Sequence, residues 1–548
     1  MTESRTCVYD VIVIGGGWSG LMAAKYCLAE GLRTVVLEGR DVPGGVWAYT
    51  EDSRYGGVIK TTHTTSSRCV TEISDFPMPE DYPAFPSHQQ IKAYLDAYCA
   101  RFGLTGHVRF GRRVTRASKL GDLWEVTTGD GSRWLAPHLI VASGVHQFPN
   151  QMEGDARFQG YGGTLLHSAV VKEVPREWSG ESVVVWGGGE SASDIAEAAS
   201  AVGARVYFCI PNGVWFVPKE VDRLPGFPRS GPMILDHISS RLRLRFSPTH
   251  RYSPFVYEYL EWAFGFNGHG QEAWKTDAPY QRSFFNKSAA VLDRVKSGQV
   301  VPKRDIAFCR GSTVHFADGT SAHADRIVTC SGYRTAFPFL DPSLGVTPDP
   351  RTWFKYIFFN ADPSLAFVGF ARPIFGSIPG LAELQARYVA RVYSGARPLP
   401  GPAERRETTE RDARFWNRHF RDTSLRIAGL VDYFLYADQL AGLIGCAPKF
   451  GRLFLSSPRR WWQVVTAPWN GSQFWLNHPE HHPRIFATLR RYSTDRMAQA
   501  YLWLLLTPVL PVFGLRRYLK QVVRGLRARG GRPSRAAPPA MFGVPREA

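Results

Sequence analysis

The residues best placed to do chemistry in this chain are two glycine-rich turns. The first is Gly15-Gly16-Gly17-Trp18-Ser19-Gly20, directly after the apolar run Val11-Ile12-Val13-Ile14. The second is Gly187-Gly188-Gly189-Glu190-Ser191-Ala192, directly after Val183-Val184-Val185-Trp186, and Ser193 and Asp194 follow it. An apolar strand, a tight turn and a helix start make a unit whose first amides point at a pyrophosphate. After the first turn, the strand Arg33-Thr34-Val35-Val36-Leu37 runs into Glu38, a carboxylate placed to accept both hydroxyls of an adenosine ribose. In the second turn Ala192 stands in the last glycine's place, where the residue governs helix–strand packing rather than approach to phosphate. Glu190 would repel a pyrophosphate, so its side chain is expected to point outward. Two dinucleotide sites in one chain imply electrons passing from one cofactor to the other.

The elements that must position these turns form an α/β architecture of two nested Rossmann-type dinucleotide-binding domains. The first site, in such an arrangement, belongs to FAD and the second to NADP. Residues 1–154 and 329–490 make up the FAD-binding part, the second of these including the C-terminal region. Residues 155–328 make up the NADP-binding part, with a polar, aromatic insertion at about 220–285 whose fold the pattern does not give. A strand at Leu139-Ile140-Val141-Ala142-Ser143-Gly144 closes the first segment, and Pro149 then breaks it.

Between and around the turns lie segments that resemble the flavin-containing monooxygenase family of the eukaryotic, multisubstrate, dimethylaniline monooxygenase-like kind. Tyr161-Gly162-Gly163-Thr164-Leu165-Leu166-His167-Ser168 matches its aromatic–glycine–histidine signature, although Val171 stands where that signature closes with an aromatic. Pro43-Gly44-Gly45-Val46-Trp47 is similar to the segment the family places beside the flavin. Ser74-Asp75-Phe76-Pro77-Met78-Pro79-Glu80-Asp81-Tyr82-Pro83, Thr329-Cys330-Ser331-Gly332-Tyr333, Glu383-Leu384-Gln385-Ala386-Arg387 and Ser472-Gln473-Phe474-Trp475-Leu476 match further family stretches. The resemblance spans residues 7 to 490. Singly, His167 reads as a structural histidine and Gly45-Val46-Trp47 as a turn with a core tryptophan; their order carries the inference.

The resemblance implies FAD and NADPH as cofactors and a small-molecule amine or sulfide plus dioxygen as substrates. In the implied cycle reduced nicotinamide passes hydride to FAD, and a hydroperoxyflavin then oxygenates a soft nitrogen or sulfur centre. The alternatives are a Baeyer–Villiger oxygenase or a peroxide-producing NAD(P)H oxidase on the same scaffold, and a non-catalytic membrane flavoprotein. Two departures matter. The family reads Thr-Asn-Ser-Ser where this chain has Thr64-Thr65-Ser66-Ser67, so Thr65 offers one hydroxyl donor where an amide donates and accepts. Thr65 and Ser66 are the catalytic candidates, and leaky oxygen activation is the expected consequence unless Ser66 restores the contact. The family also places arginine where this chain has Pro211-Asn212, leaving Lys219 as the candidate point charge for a 2′-phosphate and NADH as an alternative donor.

Composition excludes other classes. The eight cysteines form no C-x-x-C pair, which removes sequence support for zinc and disulfide-reductase chemistry and suits reduced thiols in a cytosolic setting. The formal net charge of +18 invites nucleic acid, but no reader module is present and basic residues peak at the C-terminus. Residues 516–548 hold nine Lys and Arg against one Glu, a net +8. Before them, residues 497–515 carry no charge but contain Pro508 and Pro511. Leu515, Tyr518, Leu519, Val522, Val523 and Leu526 then recur at helical spacing opposite arginines. Residues 491–529 are therefore expected to embed in the cytosolic face of a membrane, the endoplasmic reticulum on family grounds, without crossing it. Residues 530–548 are expected to be disordered.

Overall fold

The computed structural model describes residues 6–152, 154–221, 233–242, 261, 265–278, 285–288 and 290–492. The 497–515 run, the basic tail and much of the 220–285 insertion lie outside the described residues. In chain order the elements that frame the site are β1 (Val11–Ile14), α1 (Trp18–Ala29), β2 (Thr34–Leu37), α2 (His88–Arg101), β3 (Val108–Arg109), β4 (His138–Val141), β5 (Thr164–His167), β6 (Ser182–Trp186), α3 (Glu190–Ala201), β7 (Arg205–Cys209), β8 (Val300–Lys303), β9 (Arg326–Thr329), β10 (Leu365–Phe367) and α4 (Ile378–Tyr393).

Two five-stranded sheets organise them, in the orders β10-β4-β1-β2-β3 and β5-β9-β6-β7-β8. Every pairing in both is parallel. Helices and further sheets cover both faces, which is why β1 and β2 are apolar or fully buried at every position. In each sheet the strand that precedes the glycine turn, β1 or β6, is central, so the turn opens at the crevice where the winding changes direction.

The chain leaves the first sheet and returns to it through two segments zipped together. Phe148–Pro149 pairs antiparallel with Tyr333–Arg334. Asn150 N donates to Gly332 O at 3.0 Å and Asn150 Nδ2 to Ser331 O at 3.2 Å. The crossings therefore lie at 148–150 and 331–334, beside the glycine of the Ser331-Gly332 linker.

Three of the sequence stretches singled out above converge behind α1. Glu383 on α4 accepts from Ser74 N at 3.0 Å, from Ser74 Oγ and from Tyr26 OH at 2.6 Å. Trp475 Nε1 donates to the same Ser74 Oγ at 2.7 Å, and Lys25 pairs with Asp75 at 2.7 Å. Burial, with Asp75 nearby, pushes the Glu383 carboxyl up. Gln385 accepts from Gly369 N at 2.9 Å at the end of β10 and donates to Tyr436 OH at 2.9 Å. These residues fix α4, α1 and the 74–83 loop as one body; their role is support. Ser377 starts α4 by accepting from Gly380 N, with Pro379 in the first turn.

Candidate active site

The first glycine turn is closed by its own neighbours. Gly15 has φ +105°, and a Cβ there would lie 2.7 Å from Ala142 O. A Cβ on Gly20 would collide with Gly15 O, so α1 reaches the turn only as glycine. Glu38 Oε2 accepts from Gly16 N at 2.6 Å and Oε1 from Arg40 N at 2.8 Å. The carboxylate thus already holds the turn, and its remaining lone pairs are what a ribose would meet. Gly44 N donates to Gly16 O at 2.9 Å, laying the Gly45–Trp47 turn against Gly17, where a Cβ on Gly45 would lie 3.0 Å from Gly17 Cα. Arg40 locks that turn by donating to Gly45 O at 2.9 Å and Ala48 O at 2.7 Å, and Val46 O accepts from Val58 N at 3.1 Å. A Cβ on Gly369 would collide with Ser19 Oγ, so the first turn of α1 is also held from β10. Arg40 went unread in the sequence, although its place two residues after Glu38 was the available signal.

The site fits a dinucleotide. Trp18 Nε1 in the turn and Ser143 Oγ beside Gly15 are buried without a hydrogen-bond partner among the described residues, as are Thr64 Oγ1 and Ser67 Oγ. Such atoms cost free energy unless a polar group meets them.

The second turn is built differently. Gly187 has φ +136° and a Cβ there would lie 2.5 Å from Cys330 O, but around Gly189 nothing stands within 4 Å of a Cβ. Ala192 is fully buried without strain, and Ser191 is exposed. The turn is clamped from a distance. Asn286 Nδ2 donates to Gly188 O and Gly189 O at 3.2 Å each and to Ser193 Oγ at 2.7 Å. Glu190 turns onto the 286–288 segment. Its carboxylate accepts from Lys287 N and Ser288 N, both at 2.9 Å, and from Ser288 Oγ at 2.7 Å, because three donors of the 286–288 segment converge on it. That removes its charge from the turn's open side. Burial pushes the Asp194 carboxyl up to about 6.

A buried ion pair joins the two sites. Asp236 Oδ1 meets Lys287 Nζ at 3.0 Å, with side chains 6% and 10% exposed. Asp236 Oδ2 accepts from Ser67 N at 2.7 Å. The path runs from the 64–67 loop through Asp236 and Lys287 to Glu190 and the second turn. Asp236, Lys287 and Asn286 carried no sequence signal, since each lies in or beside the unread insertion.

Within the loop, Thr64 N donates to Pro86 O at 2.9 Å. Ser66 Oγ is engaged with Thr71 Oγ1 at 2.7 Å, which turns it toward the following helical turn and away from the task of replacing Thr65. Thr65 is half-buried, and its hydroxyl makes no hydrogen bond among the described residues. Lys219 also sits elsewhere than expected. Its ammonium lies 5.2 Å from the Phe85 ring, its charged neighbours are Glu190, Asp194, Lys287 and Asp236, and burial lowers its pKa. It lies among the charges at the start of α3. His167 Nδ1 accepts from Ala169 N at 3.0 Å and burial lowers its pKa, the behaviour of a neutral capping histidine. Among the described residues no His, Cys, Asp and Glu cluster suits a metal.

A model of the flavin-binding monooxygenase-like family matches residues 9–492. A 4-hydroxybenzoate brominase (decarboxylating) from Marinomonas mediterranea is 29% identical over 508 residues, covering 86% of this chain and 90% of the relative. The human N-oxide-forming dimethylaniline monooxygenase 4 is 29% identical over 486 residues, covering 86% and 85%. Among solved structures, an S-allyl-L-cysteine S-oxygenase from Allium sativum superposes with a TM-score of 0.59 at 22% identity, over 89% of this chain and 99% of that one. A cyclohexanone monooxygenase from Rhodococcus sp. Phi1 bound to NADP+ gives 0.58 at 18%, over 80% and 98%. These two likenesses establish the α/β fold of flavin monooxygenases. With its two parallel sheets and paired glycine turns, the chain belongs to the flavin-binding monooxygenase-like family and is a flavin-dependent monooxygenase that uses FAD and NADPH.

Proposed function

We propose that this enzyme oxygenates soft nitrogen or sulfur centres of small molecules, with FAD at the first glycine turn and NADPH at the second. The relatives' names range from bromination to N-oxide formation, so the family alone does not choose the reaction. The observation that carries the reading is the Asp236–Lys287 link, which ties the 64–67 loop to the second turn across the crevice. When bound, the flavin supplies hydride acceptance and oxygen transfer. The chain's part is binding, orientation and exclusion of water. The amides of Gly17 and Trp18 at the α1 N-terminus favour a pyrophosphate. Asp236 holds Ser67 N, which fixes the loop, and the Thr65 hydroxyl is left unengaged beside those of Thr64 and Ser67. A Ser–His–Asp arrangement is not required, and Nδ1 of His167 is committed to its cap.

A second reading, release of part of the oxygen as peroxide, is favoured by one observation. Ser66 is engaged with Thr71, so position 65 offers one hydroxyl where the family has an amide. Product analysis with amines, sulfides, ketones and a phenol plus bromide, alongside peroxide titration, tests both readings. Turnover of ketones alone, or bromination alone, would remove the first.

The proposal extends to location: the cytosolic face of a membrane, the endoplasmic reticulum in a eukaryotic host, with residues 491–529 embedded. No described helix is long and apolar enough to cross a membrane. Supporting the proposal, helices Phe450–Ser456 and Pro458–Thr466 expose Phe454, Leu455 and Trp462, with Arg452, Arg459 and Arg460 beside them. Aromatic and aliphatic side chains among arginines suit an anionic lipid interface. Truncation after Arg496 is expected to release much of the protein from membranes with FAD still bound. Modification of a glycosylation tag placed after Ala548 would refute the embedded topology.

A further inference from the structure

The two glycine turns correspond hydrogen bond by hydrogen bond. In the first, Glu38 N donates to Arg109 O at 3.0 Å, and a Cβ on Gly16 would lie 3.1 Å from Glu38 Cβ. In the second, Ile210 N donates to Lys303 O at 3.1 Å, and a Cβ on Gly188 would lie 2.8 Å from Ile210 Cγ2. Ile210 therefore occupies the place of Glu38. A carboxylate there accepts ribose hydroxyls and repels a 2′-phosphate. An aliphatic side chain does neither, so selection must come from a cation close by.

Three described cations line this edge. Lys303 is committed to Asp318 at 2.8 Å and Thr320 at 2.7 Å. Lys275 pairs with the exposed Glu272 at 2.5 Å. Arg304, the residue after β8, has no carboxylate partner among the described residues. Its Nη1 donates to Lys275 O at 2.6 Å and Ala273 O at 3.4 Å. The same Lys275 carbonyl is what a Cβ on Gly213 would strike, so the guanidinium is anchored against the 210–213 loop. Trp274 Nε1 fixes that segment by donating to Phe208 O and Lys303 O, both at 3.2 Å. Nε and Nη2 of Arg304 remain for an anion.

We infer that Arg304 recognises the 2′-phosphate of NADPH, a role the chain's Pro211-Asn212 cannot fill and Lys219 is not positioned to fill. The inference rests on assigning the second turn to NADPH. The test is calorimetric binding of 2′,5′-ADP and 5′-ADP to the FAD-loaded protein. The wild type is expected to prefer 2′,5′-ADP by about 10–100-fold, the range for one charged hydrogen-bonded contact. Arg304→Met should abolish most of that preference and leave 5′-ADP binding unchanged. Arg304→Gln, which keeps a polar side chain beside the 273–275 segment, should do the same. Preference surviving in both variants, absent from the wild type, or lost through equal weakening of both ligands overturns the role. Insensitivity of both ligands to Gly187→Val would instead show that the turn itself was misassigned, and the inference would fall with it.

Discussion

The first glycine turn is tied to residues that surround it, whereas the second is tied by residues about a hundred positions away. Glu38, Arg40 and Gly44 close the first turn from the adjoining strand and loop, and Gly20 admits no side chain. Around Gly189 the second turn is open, Ala192 is accommodated, Ile210 replaces the carboxylate, and Asn286 does the clamping. A turn complete in itself suits a cofactor that stays. A turn whose shape depends on a remote segment suits one that enters and leaves, because loosening that segment changes affinity without unfolding the sheet. The difference between the two sites is one of attachment, not of motif.

The sharpest way to break this comparison is to exchange the two packing residues. Gly20→Ala places a methyl into Gly15 O, a backbone atom that cannot move without deforming the turn. The variant is expected to purify without flavin absorbance near 450 nm. Ala192→Gly should retain FAD and its NADPH KM, with about 0.5–1 kcal/mol of stability lost to helix entropy. Flavin retained at full occupancy in Gly20→Ala would end the claim that the first turn is sterically closed.

A smaller but still large effect belongs to the link between the sites. Lys287→Met leaves Asp236 buried without its cation, a change that costs about 3–5 kcal/mol. Chemical denaturation should show that loss, and NADPH oxidation should divert toward peroxide as the 64–67 loop loses its reference to the second turn. Asp236→Asn combined with Lys287→Met should restore most of the stability, because both charges are gone, but not the coupling. Recovery of both together would reduce the pair to packing.

What the sequence made legible follows the same division. The first turn, its strand and Glu38 were readable because their contacts are local and their spacing repeats a steric requirement. The second turn was equally readable as a motif, yet its partners Asn286, Lys287 and Asp236 were not, since nothing in spacing joins residues 97 and 169 positions apart. The partners of Glu190 went unread for that reason: its three donors arrive from residues 287 and 288. Lys219 was misplaced because nearness in sequence to the end of β7 does not fix the side the chain takes after Gly213. The stretches around Ser74, Glu383 and Trp475 were recognisable as patterns, while their convergence into one support behind α1 needed the fold.

That support makes a pH-dependent contrast between the two regions. Glu72, which accepts from Met78 N at 3.1 Å and Asn470 Nδ2 at 2.8 Å, is pushed up to about 7 by burial, from 4.5. The folded state therefore holds a proton the unfolded state has released between those values, and stability falls as pH rises from about 4.5 to 7. The contribution is on the order of 3 kcal/mol. Denaturation midpoints of wild type minus Glu72→Gln, taken from pH 5 to 8, should decline across that window. A flat difference would show that Glu72 stays ionised in the folded protein.

The smallest effect tests the loop where the two regions meet. Thr65 offers one hydroxyl, Ser66 is engaged with Thr71, and Ser67 N is held by Asp236. Thr65→Asn adds an amide that donates and accepts at once. Removing a well-placed donor of this kind costs about 2–4 kcal/mol at a charged transition state, but adding one to a loop shaped around threonine should recover less. About 1 kcal/mol, a roughly fivefold fall in the ratio of peroxide to oxygenated product, is the expected gain. The rate of flavin reduction by NADPH should stay the same, because the substitution leaves the Asp236–Lys287 link intact. Measuring reduction anaerobically and peroxide aerobically separates the two. A wild type that already couples tightly, with no improvement in the variant, would mean that the loop's oxygen-handling does not depend on residue 65. A change in reduction rate would place Thr65 on the nicotinamide side of the crevice and erase the distinction between the two turns at this point.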